Sequence, residues 1–192
     1  MNSYFFDRFL RFNCAPDILA KWGKTPAKEL TECMAVYQYL LKNYLELFSE
    51  NCLCLDIGSG KTPRFAILIA HLTKWKVVAI DPNLNVKDYK TERLFLQKKN
   101  IEDCNKDIKN TDKSNYKHIF GVYIHSHGSA KPLLENIKLT PLTIIAIPCC
   151  YPIGVEDLEG RYYSDGRILS DKRRVYVFNK NHDLRPVKDG RY

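Results

Sequence analysis

Apolar residues recur at three- and four-residue steps through the first quarter of the chain. Leu30, Met34, Tyr37, Leu41, Tyr44 and Phe48 predict one face of a long amphipathic helix ending near Ser49. Thr25-Pro26 reads as its N-cap followed by proline at the first helical position. Beyond residue 51 the pattern changes to short apolar runs between polar turns. CLCLDI, KVVAIDP (Lys76 to Pro82), RLFLQKKN (Arg93 to Asn100), HIFGVYIHSHG (His118 to Gly128) and LTIIAIPCC (Leu142 to Cys150) predict five strands. The fifth is apolar almost throughout and belongs in a sheet interior. Pro63 to Thr73 and Lys131 to Lys138 predict short helices, whereas the polar stretch Glu102 to Lys117 predicts a loop or a poor helix. RRVYVFNK (Arg173 to Lys180) predicts a last strand, preceded by the turn Ser164-Asp165-Gly166. Strands alternating with helices imply a doubly wound, mostly parallel Rossmann-like α/β sheet, with an N-terminal amphipathic helix and a C-terminal antiparallel strand or hairpin. No linker or repeat divides the 192 residues, so one domain is expected: a helical region at 1–50, a core at 51–150 and a basic region at 151–192.

Composition narrows the class. With 45% hydrophobic and 27% charged residues the chain is globular rather than disordered. No apolar stretch reaches the length of a membrane span, and Asp7, Arg8 and Arg11 make the N-terminus a poor signal peptide. An intracellular location, cytoplasmic or nuclear, is expected. Seven cysteines without a C-x-x-C pair suit thiols in a reducing compartment and argue against a zinc ribbon. The net charge is +8, and Arg161 to Tyr192 holds nine Lys/Arg against four Asp. Such a surface favours polyanionic partners, RNA first. Lys172, Arg173 and Arg174, with Tyr162, Tyr163 and Arg167 nearby, supply the cations and rings that hold single-stranded RNA. The same mix also suits a twisted hairpin with snorkelling arginines. For the N-terminal YFFDRFLRF a lid, a membrane-surface patch and an ordinary packed helix all remain open.

Candidate chemistry starts at LCLDIGSGKTP, Leu53 to Pro63. A triphosphate loop, G-x-x-x-x-G-K-[ST], would want glycine at 55, where the chain has Leu55. A dinucleotide turn, G-x-G-x-x-G, would want its third glycine where Pro63 stands. S-adenosylmethionine (SAM) asks for less: an acid ending the first strand, a tight glycine turn, and an acid ending the second strand. Asp56, the turn Gly58-Ser59-Gly60, and Asp81 meet those needs, and Asp81 is placed to take both ribose hydroxyls. An acid at position 56 has no evident packing role, which favours a ligand role for it.

The motifs DIGSGKTPR, AIDPN, YIHSHG and IAIPCCY, spread over Leu53 to Tyr151, resemble Rossmann-fold, SAM-dependent methyltransferases. They are especially similar to a branch with a histidine motif after strand four and Pro-Cys-Cys after strand five. The resemblance implies the fold and SAM as cofactor, and sets Asn100 and Ile101 beside the adenine. Many amino methyltransferases carry [N/D]-P-P-[Y/F] after strand four, but this chain has His125-Ser126-His127-Gly128. Base N-methylation is therefore in doubt. Strand order brings His125, His127, Cys149 and Cys150 to one end of the sheet. A histidine could act as base or positioner for the acceptor, a cysteine as nucleophile, the four together as metal ligands, or the cysteines could only pack. Alternation along a strand would send His125 and His127 to the same site. The expected function is a SAM-dependent methyltransferase acting on RNA; the alternative is a catalytically inactive methyltransferase-like module that binds RNA or a protein partner.

Overall fold

The computed structural model describes residues 3–24, 26–85, 92–112, 115–149 and 161–181. Seven strands form one sheet: β1 (Leu53–Ile57), β2 (Lys76–Ile80), β3 (Leu94–Gln97), β4 (Ile119–Ile124), β5 (Leu142–Ile147), β6 (Arg161–Ser164) and β7 (Arg174–Lys180). Their order is β3-β2-β1-β4-β5-β7-β6. The first five run parallel, while β7 pairs antiparallel with both β5 and β6. The chain winds outward from β1 through β2 to β3, then crosses back to β4 and outward to β5. The switch point therefore lies between β1 and β4, where open α/β sheets bind ligands at the carboxyl ends of the strands.

The apolar runs are continuous because both faces of the sheet are covered. Cys52 and Cys54 enter one core cluster while Leu53, Leu55 and Ile57 enter the other. Strand β5 divides likewise, with Ile145 and Ile147 on one side and Leu142, Ile144 and Ala146 on the other. The first side is covered by α1 (Tyr4–Leu10), α2 (Ala15–Trp22), α3 (Ala27–Tyr44) and α4 (Arg64–Leu72); the second by α5 (Asn105–Asp112) and α6 (Lys131–Asn136). Phe5 and Phe9 are buried, and Phe9 stacks on Trp22 with ring centroids 5.3 Å apart. The N-terminal aromatics thus belong to packed helices.

Several boundaries differ from the pattern. Helix α3 stops at Tyr44, whose φ of −142° leaves the helical region, and a 3₁₀ turn at Leu45–Leu47 completes it. Pro26 stands at the N-cap position, and Thr25 lies outside the described residues. Strand β3 ends at Gln97, so Asn100 and Ile101 are on the loop beyond it. The polar stretch expected to be a loop or poor helix forms a 3₁₀ turn at Glu102–Cys104 and then α5, anchored by buried Ile108. Both oxygens of Asp112 accept backbone N–H groups of Lys138, Leu139 and Thr140, fixing the end of α5 to the entry of β5. Strand β6 adds the edge of the C-terminal hairpin. Among the described residues, no helix is long and apolar enough to cross a membrane.

Candidate active site

Two cavities meet at the carboxyl end of the sheet. The smaller, about 420 Å³, is formed by the ends of β1, β2, β3 and β4, with Asp81, Asn100, Ile101 and His127 in its wall. The larger, about 920 Å³, is closed by the start of α3 and by the segment before β7, and it takes in Glu32, Asp56, Ser59, Cys149 and Lys172. Gly58, Gly60 and His125 border both.

The turn between them depends on backbone conformation. Gly58 and Gly60 have φ of 69° and 70°, a left-handed region that costs other residues about 1–2 kcal/mol. The Gly58 N–H donates to Ile80 O at 2.8 Å and the Ser59 N–H to the same oxygen at 3.4 Å. The Gly60 N–H donates to Asp81 Oδ2 at 2.9 Å. Three successive N–H groups are therefore used inside the protein, and a phosphate would find none of them. Asp81 Oδ1 accepts from Asn83 N at 2.7 Å, so its carboxylate is clamped at the pocket edge with one lone pair on each oxygen still to offer.

Asp56 has a packing role after all. Its Oδ2 accepts the Ala66 N–H at 3.0 Å, satisfying an orphan donor in the first turn of α4. Burial pushes its carboxyl up to about 7, against the pull of the Ala66 N–H and with a further push from Asp81. Ser59 Oγ is buried on the larger cleft without a hydrogen-bond partner.

Strand alternation does not pair the histidines, although both border the smaller cavity. Strand β4 ends at Ile124, and His125 turns to φ 53°, which breaks the alternation that would have paired it with His127. His125 Nε2 meets Glu32 Oε1 at 2.7 Å, while exposed His127 meets Cys149 Sγ through Nε2 at 3.2 Å. Glu32 holds the His125 imidazole above its ordinary 6.5, and the Cys149 thiol adds to the rise. Cys149 lies just past β5, and Cys150 is outside the described residues. Among the described residues no three His, Cys, Asp or Glu side chains are grouped to hold a metal ion.

Glu32 is the residue that the sequence pattern did not single out. It is 0% exposed although it lines the larger cleft, and its Oε2 has no partner. A signal was present. Buried Val36, Tyr39 and Leu40 follow it at helical spacing, so Glu32 heads a second apolar stripe of α3 in which an acid has no place unless something meets it.

The basic residues are dispersed. Lys172 stands on the rim of the larger cleft, held there because Leu169 N donates to Thr31 Oγ1 at 3.0 Å. Arg173 Nε donates to Ser170 O at 3.1 Å, and Arg174 lies over the Tyr162 ring at 5.4 Å. Arg167 pairs with Asp165 at 2.7 Å and covers the rings of Tyr4 and Phe5, which uses it in packing.

No family model matches the sequence, and no curated protein matches it. Solved structures do resemble the fold. A mutant of MtNAS in complex with S-adenosylmethionine is 11% identical with a TM-score of 0.45, over 93% of this chain and 70% of that one. A cyclopropane-fatty-acyl-phospholipid synthase-like protein from Lactobacillus casei is 12% identical with a TM-score of 0.46, over 75% of this chain and 57% of that one. A SAM-dependent methyltransferase from Agrobacterium tumefaciens is 11% identical with a TM-score of 0.45, over 77% and 61%. This chain thus spans less than two thirds of the last two.

Proposed function

We propose that this chain is a SAM-dependent methyltransferase whose acceptor is RNA. The observation that carries the reading is the pair of cavities joined at one glycine turn. The smaller suits a nucleoside: Asp81 offers lone pairs to two ribose hydroxyls, and buried Ile101 supplies an apolar wall for a base, with Asn100 beside it. A Cβ built on Gly60 meets nothing within 4 Å, so the space over the turn is open to a ligand. The turn has spent its N–H groups internally, which fits a cofactor without phosphates and disfavours nucleotides that need a phosphate cradle. When bound, SAM supplies a methyl group activated on a sulfonium centre. The protein's part is positioning: His125, at the junction of the cavities, can hold the acceptor and take its proton.

The RNA assignment rests on exposed cations. Lys28, Lys61 and Lys172 stand around the larger cleft, where they can neutralise phosphates while an acceptor group enters. Arg173 and Arg174 add two cations at the entry to β7. A silent module that binds RNA or a protein is the rival, favoured by His125-Ser126-His127-Gly128 standing where many amino methyltransferases hold their amine. Calorimetry with S-adenosylhomocysteine, followed by incubation of total RNA with methyl-labelled SAM, separates the two. Binding and label in RNA are expected; absence of binding overturns the cofactor, and binding without label in RNA overturns the acceptor.

A further inference from the structure

Methyl transfer asks different help of different acceptors. An amino nitrogen attacks with its own lone pair and sheds a proton afterwards, so it needs to be held in place. A hydroxyl oxygen becomes a strong nucleophile only as its proton leaves, so it needs a general base within reach. This chain has His125-Ser126-His127-Gly128 where many amino methyltransferases hold their amine.

What stands at that place is a braced imidazole. Among the described residues, His125 is the one titratable side chain that borders both cavities. Its Nε2 meets Glu32 Oε1 at 2.7 Å, and its own N–H donates to Ile147 O at 2.9 Å, so ring and backbone are both fixed. A carboxylate only accepts, so Nε2 carries the ring proton and Nδ1 keeps the lone pair. Two features set this contact apart from ordinary packing. Glu32 is 0% exposed, at a helix position where packing alone would favour an apolar residue, and its Oε2 has no partner. His125 has φ 53°, a backbone conformation that a non-glycine residue keeps only where its surroundings enforce it.

The rim of the larger cleft points to the kind of hydroxyl. Exposed Lys28, Lys61 and Lys172 surround it. In RNA each internal 2′-hydroxyl stands beside the phosphate that follows it. Cations that seat the phosphate therefore bring the sugar toward His125, with no need to read a nucleobase edge. We infer that the acceptor is a ribose 2′-hydroxyl of RNA, with His125 as its general base and Glu32 as the residue that positions His125. This rests on the reading of the chain as an RNA methyltransferase and names the atom that receives the methyl group. The step balances without another reactant. The hydroxyl proton goes to His125 Nδ1, and Glu32 offsets the charge on the ring. An oxygen lone pair forms the new O–CH₃ bond as the bond from methyl to sulfonium breaks. That bonding pair stays on the cofactor sulfur, giving neutral S-adenosylhomocysteine and a 2′-O-methyl ether, and His125 then returns its proton to water.

Glu32 also holds the imidazole above its ordinary 6.5. Glu32 from α3 and Cys149 from beyond β5 are the titratable groups that face it, Glu32 with the larger effect, and Lys28 and Lys172 stand on the same cleft. The base form exists above the raised value, so kcat should climb with pH through it.

Total RNA incubated with methyl-labelled SAM and digested to nucleosides should carry its label on 2′-O-methylated nucleosides. Label on the nucleobases would overturn this inference and leave the RNA methyltransferase standing; no label in RNA would remove both. His125→Asn, in which asparagine accepts the positive φ, should lower kcat about 10²–10⁴-fold and keep affinity for S-adenosylhomocysteine. Glu32→Gln should lower kcat about tenfold or more with KM kept, and should move the acid limb of kcat down toward 6.5. An unmoved limb, or an unchanged kcat, would remove Glu32 from the mechanism. Nitrogen-15 NMR of the imidazoles needs neither cofactor nor RNA, the His125 signals being those that His125→Asn loses. Neutral His125 should be the Nε2–H tautomer. The Nδ1–H tautomer would leave no lone pair for the acceptor's proton and would overturn the base, and this measurement on the wild-type protein decides the matter if Glu32→Gln does not fold.

Discussion

The two cavities at the head of the sheet are made in different ways. The smaller is lined by four strand ends, each delivering the residues that immediately follow its apolar run: Gly58 and Gly60 after β1, Asp81 after β2, Asn100 and Ile101 after β3, Ser126 to Gly128 after β4. The larger joins pieces that have no such regularity: the first turns of α3, the loop after β1, single residues beyond β4 and β5, and the segment leading to β7. In the smaller cavity, backbone geometry fixes what each residue can do. In the larger, chemistry rests on side chains from distant segments, above all the contact between Glu32 and His125, 93 residues apart. The first is a scaffold feature and the second a tertiary construction, so they should fail differently when disturbed.

The largest difference is expected between the two glycines. A Cβ at Gly58 would lie 2.3 Å from Ser126 Oγ and 2.9 Å from Ser126 Cα, with backbone strain added. Gly58→Ala should destabilise the fold by about 2–5 kcal/mol, the sum of overpacking and a left-handed alanine. Gly60→Ala meets open space and should lose only about 1–2 kcal/mol. Urea denaturation checks both, and equal losses would mean that the close approach of Ser126 does not matter.

Next comes pH. Asp56 has its folded value raised from 3.8 to about 7, so the native state holds its proton more tightly than the unfolded chain does. Its contribution to stability is complete below 3.8 and is lost as pH rises through about 7. The loss should be on the order of 2–4 kcal/mol, and Asp56→Asn, which can still accept the Ala66 N–H, should flatten it. Thermal melts across pH 4 to 8 give the answer; an unchanged slope in the variant would remove Asp56 from the account.

The proposed nucleoside site in the smaller cavity is probed by Asp81→Ala. Affinity for S-adenosylhomocysteine should weaken by about 1.5–3 kcal/mol, the range for hydrogen bonds to a charged group. Calorimetry on the folded variant that returned wild-type affinity would sink the ribose assignment.

Smaller still is the Glu32–His125 pair. The imidazole is raised above 6.5, so the stability it lends is complete below 6.5 and fades as pH climbs through the raised value. Because the His125 side chain is 28% exposed, the effect should be about 1 kcal/mol or less, and Glu32→Gln should abolish the slope above neutrality. The smallest effect is expected at the rim: Lys172→Ala should reduce the salt dependence of RNA binding by roughly 0.7 in the log–log slope, measured by filter binding. A slope indifferent to Lys172, Arg173 and Arg174 together would place any RNA elsewhere.

What the sequence determined by itself is the sheet and the glycine turn. Strand-sized apolar runs, the acids ending β1 and β2, and the two glycines report local backbone needs that act within a few residues. The core of the Rossmann-like sheet was therefore legible, as was the antiparallel β7. Helix ends were less so, since the end of α3 and the formation of α5 depend on what packs against them. Only the tertiary structure decided that Asp56 serves α4, that His125 leaves the strand alternation to face Glu32, that Cys149 lies against the His127 imidazole, and that Arg167 is used on aromatic rings. The physical reason is that a backbone need is written beside the residue that meets it. A buried side chain such as Glu32, on helix α3, is explained only by the partner that folding brings from the turn after β4.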